Sequence, residues 1–183
     1  MNIYFDTEFT GLHKNTTLIS IGCVDENGKT FYAEFTDYDR VQINPWLEKN
    51  VLANLKFVGE KGAANDGKGN VEMCGSKDDV KEFLRAWLSH YDKVQFVSDV
   101  CHYDMVLLID LFGTAFDLPN GVSASCHDVN QDIARHYDIS DAEAFDMSRE
   151  GILADYDLAI NGEKHNALYD AKVIKRLYDI TRD

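Results

Sequence analysis

The stretch Ile3-Tyr4-Phe5-Asp6-Thr7-Glu8-Phe9 puts two carboxylates into a run that otherwise has the apolar, aromatic composition of a β-strand. Charges are unfavourable in such a setting unless something pairs with them. Strand side chains alternate between faces, so Tyr4, Asp6 and Glu8 share one side while Ile3, Phe5, Thr7 and Phe9 share the other. Successive same-face residues lie roughly 7 Å apart, a span that a divalent cation and its ligands can bridge once side-chain length is added. Two readings follow: half of a metal site, or an edge strand with one solvated face. Further carboxylates downstream decide between them.

Composition narrows the choices. A chain of 183 residues with 45% hydrophobic and 27% charged residues suits one domain, 1–183, with a sizeable core. No apolar run approaches the roughly 18 residues of a membrane span, and the N-terminus enters a strand without the features of a signal peptide, so a cytoplasmic location is expected. Cys23, Cys74, Cys101 and Cys126 are scattered with no C-x-x-C pair, which argues against a zinc site or disulfide framework and for reduced thiols. The formal net charge of −14 argues against a long basic groove gripping nucleic acid. It leaves room for phosphate contacts made through bound cations, hence for short contact with a chain end.

Along the chain, Leu18 to Val24 and Thr30 to Phe35 read as second and third strands, and Asn27-Gly28 between them predicts a hairpin. Asn44-Pro45 starts a helix carrying Trp46, Leu47, Val51, Leu52 and Leu55 and ending before Gly59. Residues 59–75 hold five glycines and read as an irregular loop or short hairpin, either a solvated connection or a mobile flap. Ser76 with Asp79 forms a capping box for an amphipathic helix through Tyr91. Lys93 to Ser98 is a fourth strand, followed by a helix from His102 to Phe112 closed by Gly113, and a short fifth strand is expected near Val122. Short helices are expected around 129–136, 141–145 and 150–154. A long last helix buries Ala167, Leu168, Ala171, Ile174, Leu177 and Tyr178. This order indicates an α/β fold: a mixed central sheet of about five strands, the first three largely antiparallel, flanked by helices.

Two later carboxylates sit at element junctions. Asp104 begins the helix after the fourth strand, near the carboxyl edge of the sheet where sites in α/β folds gather. Asp170 lies in the first turns of the last helix, on the stripe of Ala167, Ile174 and Leu177. Each alone also reads as a surface or capping carboxylate. His165 precedes Asp170 by five residues, about 140° apart were both helical, so the two share a site only if His165 stands on the incoming loop. There it suits a general base, since its unperturbed pKa lies near operating pH; otherwise it is an exposed loop histidine.

Asp6-Thr7-Glu8 in a first strand, Tyr103-Asp104 at a strand–helix junction, and His165 with four residues between it and Asp170 together resemble the three motifs of the DEDDh exonuclease superfamily. That group includes ribonuclease T, oligoribonuclease and proofreading exonucleases on a ribonuclease H-like fold. The most specific part is Phe5-Asp6-Thr7-Glu8-Phe9-Thr10-Gly11-Leu12 followed by Leu18-Ile19-Ser20-Ile21-Gly22, most like a small bacterial and phage subgroup of 3′-5′ exoribonucleases.

The resemblance implies that Asp6, Glu8, Asp104 and Asp170 hold two Mg²⁺ or Mn²⁺ ions and that His165 deprotonates the attacking water. It also places Thr10, Gly11 and Leu12 against the terminal nucleotide. Two metals roughly 4 Å apart suit phosphodiester displacement, and oxygen ligands without cysteine suit Mg²⁺ or Mn²⁺. The second motif departs from the usual wording, offering Asp99, Val100, Cys101 and His102 before Asp104, so Asp99 or His102 assists the site or caps the helix, with Asp99 the substitute if Asp104 points away. The expected activity is 3′-5′ exonucleolytic release of nucleoside monophosphates from single-stranded RNA, in a homodimer by analogy. A DNA exonuclease and a catalytically silent interaction module of the same fold are the rivals.

Overall fold

A computed structural model describes residues 1–182. Seven strands and seven α-helices alternate as β1 (Asn2–Phe9), β2 (Leu18–Asp25), β3 (Thr30–Phe35), α1 (Pro45–Asn50), β4 (Gly62–Asn65), β5 (Val71–Gly75), α2 (Lys77–Leu88), β6 (Val94–Ser98), α3 (Cys101–Phe112), β7 (Val122–Asp128), α4 (Val129–Tyr137), α5 (Asp141–Asp146), α6 (Arg149–Asp155) and α7 (Ala167–Ile180). The strands form one mixed sheet in the order β4-β5-β3-β2-β1-β6-β7. β1 pairs antiparallel with β2 and parallel with β6, so the acidic strand lies inside the sheet rather than at its edge.

The alternation along β1 is resolved by two different layers. Ile3 and Phe5 enter a core built with Val80, Leu84 and Trp87 of α2 and Leu108 and Leu111 of α3. Tyr4 enters a second core with Ile133, Leu153, Ile174 and Leu177 from α4, α6 and α7. Helices therefore cover both faces, and β2 is buried along all eight residues, as expected of a strand enclosed on both sides.

The β2–β3 hairpin is held by Asp25, whose Oδ1 accepts from Asn27 N and Lys29 N at 2.8 Å each, while Gly28 takes the left-handed backbone that the turn requires. Ser76 and Asp79 form the expected capping box of α2.

The sheet has seven strands, not about five. The glycine-rich region folds as the β4–β5 hairpin, one of its two expected forms, and β5 pairs in parallel with β3 and buries Val71 and Met73 beneath α2, with Cys74 buried on the opposite face. The helix expected from Pro45 to before Gly59 stops at Asn50 and continues only as a 3₁₀ turn at Leu52–Asn54. On α7, Val173 is buried, whereas Leu168 and Tyr178 are only half-buried. No helix among the described residues is long and apolar enough to cross a membrane.

Candidate active site

The carboxyl ends of β1 and β6 open into a cleft of about 680 Å³, walled by the α5–α6 junction and by Lys164 and His165 before α7. Its size falls within the range of ligand sites. Asp6 and Glu8 share the Tyr4 side of β1. Asp104 and Asp170 each stand in the first turn of a helix, where the unpaired amides and macrodipole favour negative charge.

Asp104 is fully buried and clamped. Its Oδ1 accepts from Thr7 N at 3.2 Å and Thr7 Oγ1 at 2.5 Å, and its Oδ2 accepts from the Ser98 hydroxyl. Ser98 Oγ in turn accepts from Val100 N at 2.9 Å, tying the end of β6 to the start of α3, which lacks a side-chain cap of its own. Asp170 Oδ2 accepts from the backbone N of His165 at 2.8 Å. That bond fixes His165 in the left-handed region, at φ +63°, with its Nδ1 3.8 Å from Glu8 Oε1. Glu8, His165 and Asp170 each present a ligand-type atom, all within 4.8 Å of one another.

The charge is poorly compensated. Asp6 is held well above the usual carboxylate range by burial and then by Asp104, Asp170 and Glu8, and its Oδ2 is buried with no hydrogen-bond partner among the described residues. Burial, reinforced by Asp170 and Asp104, pushes Glu8 up to about 8. Asp104 rises to about 7 through burial, although the Ser98 and Thr7 hydrogen bonds pull the other way. Asp170 also rises to about 7 through burial, opposed by the His165 amide. Burial and the neighbouring Lys164 hold His165 below its ordinary value, which keeps the imidazole neutral at neutral pH. Buried carboxylates that repel one another, one with an orphaned oxygen, form a hard-oxygen donor set suited to Mg²⁺ or Mn²⁺.

All five residues of the expected catalytic set therefore line one cleft. Leu12 lines it too and is 74% exposed. Thr10 and Gly11 do not line the cleft: the Thr10 hydroxyl donates to Gln42 Oε1 at 2.6 Å and accepts from Thr17 N at 2.9 Å, and Gly11 N donates to Thr16 Oγ1 at 2.9 Å. Asp99 faces the cleft, but its Oδ2 accepts from Arg149 Nε at 2.9 Å, and His102 lies outside.

Three features of the cleft are not announced by the sequence motifs. The Thr7–Ser98 clamp on Asp104 spans 97 residues on the Thr7 side. Arg149 joins Asp99 to the carbonyls of Ala144 and Met147, locking the α5–α6 wall to the end of β6. Trp46 meets the His165 ring edge-on, with centroids 5.0 Å apart. Only Trp46 leaves a trace in the sequence, as a large aromatic directly after the Asn44-Pro45 helix start.

A model of the Rv2179c-like 3′-5′ exoribonuclease domain matches residues 1–180. The 3′-5′ exoribonuclease Rv2179c of Mycobacterium tuberculosis (strain ATCC 25618 / H37Rv) is 30% identical over 131 residues, covering 72% of this chain and 73% of its own length. Among solved structures, the nuclease domain of 3′hExo, a DEDDh family member bound to rAMP, superposes with a TM-score of 0.68 at 12% identity over 99% of this chain and 90% of that one. S. pombe Pop2p, in a Mg²⁺ and Mn²⁺ bound form, gives 0.62 at 15% identity over 99% and 82%. These two likenesses show a shared ribonuclease H-like fold.

Proposed function

The chain belongs to the Rv2179c-like 3′-5′ exoribonuclease domain family, and we propose that it releases nucleoside 5′-monophosphates from the 3′ ends of single-stranded RNA with two divalent cations held by Asp6, Glu8, Asp104 and Asp170. The observation that carries this reading is the convergence of four mutually repelling carboxylates, among which Asp6 Oδ2 is buried without a partner. When bound, Mg²⁺ or Mn²⁺ neutralises that charge and stabilises the attacking and leaving oxygens of the phosphodiester displacement.

The rest falls to the chain itself. His165, held neutral, accepts the proton of the attacking water at its ring; Nδ1 faces Glu8, and Nε2 has no hydrogen bond among the described residues. The His165 N–H to Asp170 bond keeps the base and one ligand in fixed relation. Thr7 and Ser98 hold both oxygens of Asp104, so its orientation is set before any ion arrives. Leu12, exposed on the rim, offers an apolar surface to the terminal base.

The test is a 5′-labelled oligoribonucleotide incubated with Mn²⁺ and wild type, Asp6→Asn or His165→Ala. A ladder shortening from the 3′ end, slowed at least about a hundredfold in both variants, is expected. Undiminished hydrolysis by Asp6→Asn sinks the mechanism. Calorimetric titration with Mn²⁺ checks the count of two ions per chain, and a single site of one ion overturns that part.

A further inference from the structure

Outside the cleft lies a second depression, of about 590 Å³, bounded by His13, Lys14, His102, Tyr103, Val106 and Asp110. Its position relative to the cleft is set by two neighbours. Leu12 lines the cleft, and the next two residues line the depression. Phe9 lines the cleft, while Tyr103, stacked on it at 5.3 Å between centroids and 17° between planes, lines the depression. The Phe9–Tyr103 stack and Leu12 thus form a wall shared by the cleft and the depression.

The depression also differs in charge from the rest of a chain of net charge −14. Lys14 is the one formal cation of its lining and Asp110, already bonded to Lys77, the one carboxylate, so the depression is close to neutral. The loop carrying His13 and Lys14 is folded back on itself, with His13 N donating to Gly11 O at 2.9 Å and Thr16 N donating to His13 O at 3.1 Å. The His13 ring lies against Gly11 so closely that a Cβ there would fall 2.8 Å from Nε2, so this glycine seats a groove residue. Val106, 64% exposed, adds an apolar surface beside the Tyr103 ring. A lysine beside aromatic and apolar faces is a combination that binds single strands without reading sequence.

We infer that this depression holds the two or three nucleotides immediately 5′ of the scissile phosphodiester, with Lys14 contacting phosphate and Tyr103, His102 and Val106 lying against bases. The inference rests on the exoribonuclease reading of the neighbouring cleft. It makes the enzyme sensitive to substrate length: a dinucleotide places only one nucleotide in the depression, whereas an octamer fills it.

The test compares kcat/KM on 5′-phosphorylated oligoribonucleotides of two and eight residues for wild type, Lys14→Ala/His102→Ala and Val106→Glu. The octamer-to-dinucleotide ratio is expected to fall about tenfold in both variants. A ratio that stays at the wild-type value, including one preserved through equal loss at both lengths, overturns the inference. Binding separates it from the hydrolytic reading. In an Asp6→Asn background, fluorescence anisotropy of a labelled octamer should show about tenfold weaker affinity with Lys14→Ala/His102→Ala, and a salt dependence shallower by about 0.7 in log–log slope for the lost lysine. Weakened binding beside a wild type that hydrolyses nothing keeps the groove and removes the nuclease mechanism. Unchanged binding beside active hydrolysis does the reverse.

Discussion

Gly22 lies directly beneath Ala167: a Cβ built on Gly22 would fall 2.3 Å from the carbonyl carbon and oxygen of Ala167. Gly22 is also the residue that faces Asp6 across the β1–β2 ladder. The missing side chain therefore lets the first turn of α7 settle onto the sheet beside Asp6, and that turn carries Asp170. Gly22→Ala should cost about 3 kcal/mol, because the obstruction is backbone and not a side chain that can rotate away. It should reduce hydrolysis more than a core substitution of equal cost remote from the cleft, such as one at Leu88. Chemical denaturation paired with kcat/KM on RNA checks both; equal activity loss in the two variants refutes the positional argument.

The electrostatics predict an inverted pH dependence for chelated protein. Asp104 and Asp170 at about 7 and Glu8 at about 8 all lie above their unfolded values, so the native state binds more protons than the unfolded chain between about pH 4 and 8. Stability is then fullest below pH 4 as far as these groups are concerned, and is lost as pH rises through 7 and 8. In EDTA, Tm should fall from pH 5.5 to pH 8, and Mn²⁺ should raise Tm more at pH 8 than at pH 5.5 because cations bind the ionised native state. Differential scanning fluorimetry at the two pH values reads both effects.

At His165 the backbone and the side chain can be separated. The residue is held at φ +63°, where a Cβ is costly. His165→Ala and His165→Gly should both lose activity by roughly a hundredfold or more, as removal of a general base does. The glycine variant should be the more stable of the two by about 1 kcal/mol. Urea denaturation of the pair decides it, and a more stable alanine variant contradicts the strain.

Asp99 and Asp104 make a further contrast. Asp99 is committed to Arg149, with side-chain exposures of only 16% and 12%. Asp99→Asn should therefore lose about 2 kcal/mol of stability and keep most of its activity, whereas Asp104→Asn should keep its fold and lose hydrolysis at least about a hundredfold. Thermal melts and single-turnover rates with Mn²⁺ distinguish the two; the reverse pattern makes Asp99 the functional carboxylate.

What could be read from the sequence follows from the range of the interactions involved. Asn27-Gly28, Ser76 with Asp79, and the 3.6-residue stripe of α7 are local signals, and the hairpin, the cap and the helix stand where those signals put them. For β4 the glycines left open a choice between an irregular loop and the short hairpin that forms, because its four residues are all exposed and are strand only through pairing with β5. β5 is a short, enclosed parallel strand whose Val71, Met73 and Cys74 are masked by the glycines around it. In the cleft, it was the resemblance to the three DEDDh motifs that named the five groups the fold gathers; singly, Asp104, Asp170 and His165 read equally as surface, capping or loop residues. Thr7, Ser98 and Arg149 were invisible as supports, since a hydroxyl or guanidinium does not announce which distant carboxylate it will hold.

The packing of α7 on β2 also sets a clock. A ribosome has made the Asp6, Glu8 and Asp104 elements long before residues 167–180 leave its exit tunnel, and until then nothing seats on Gly22 to bring Asp170 to the cleft. The acidic cleft of a nascent chain is thus completed only when α7 docks, after every strand of the sheet has been made.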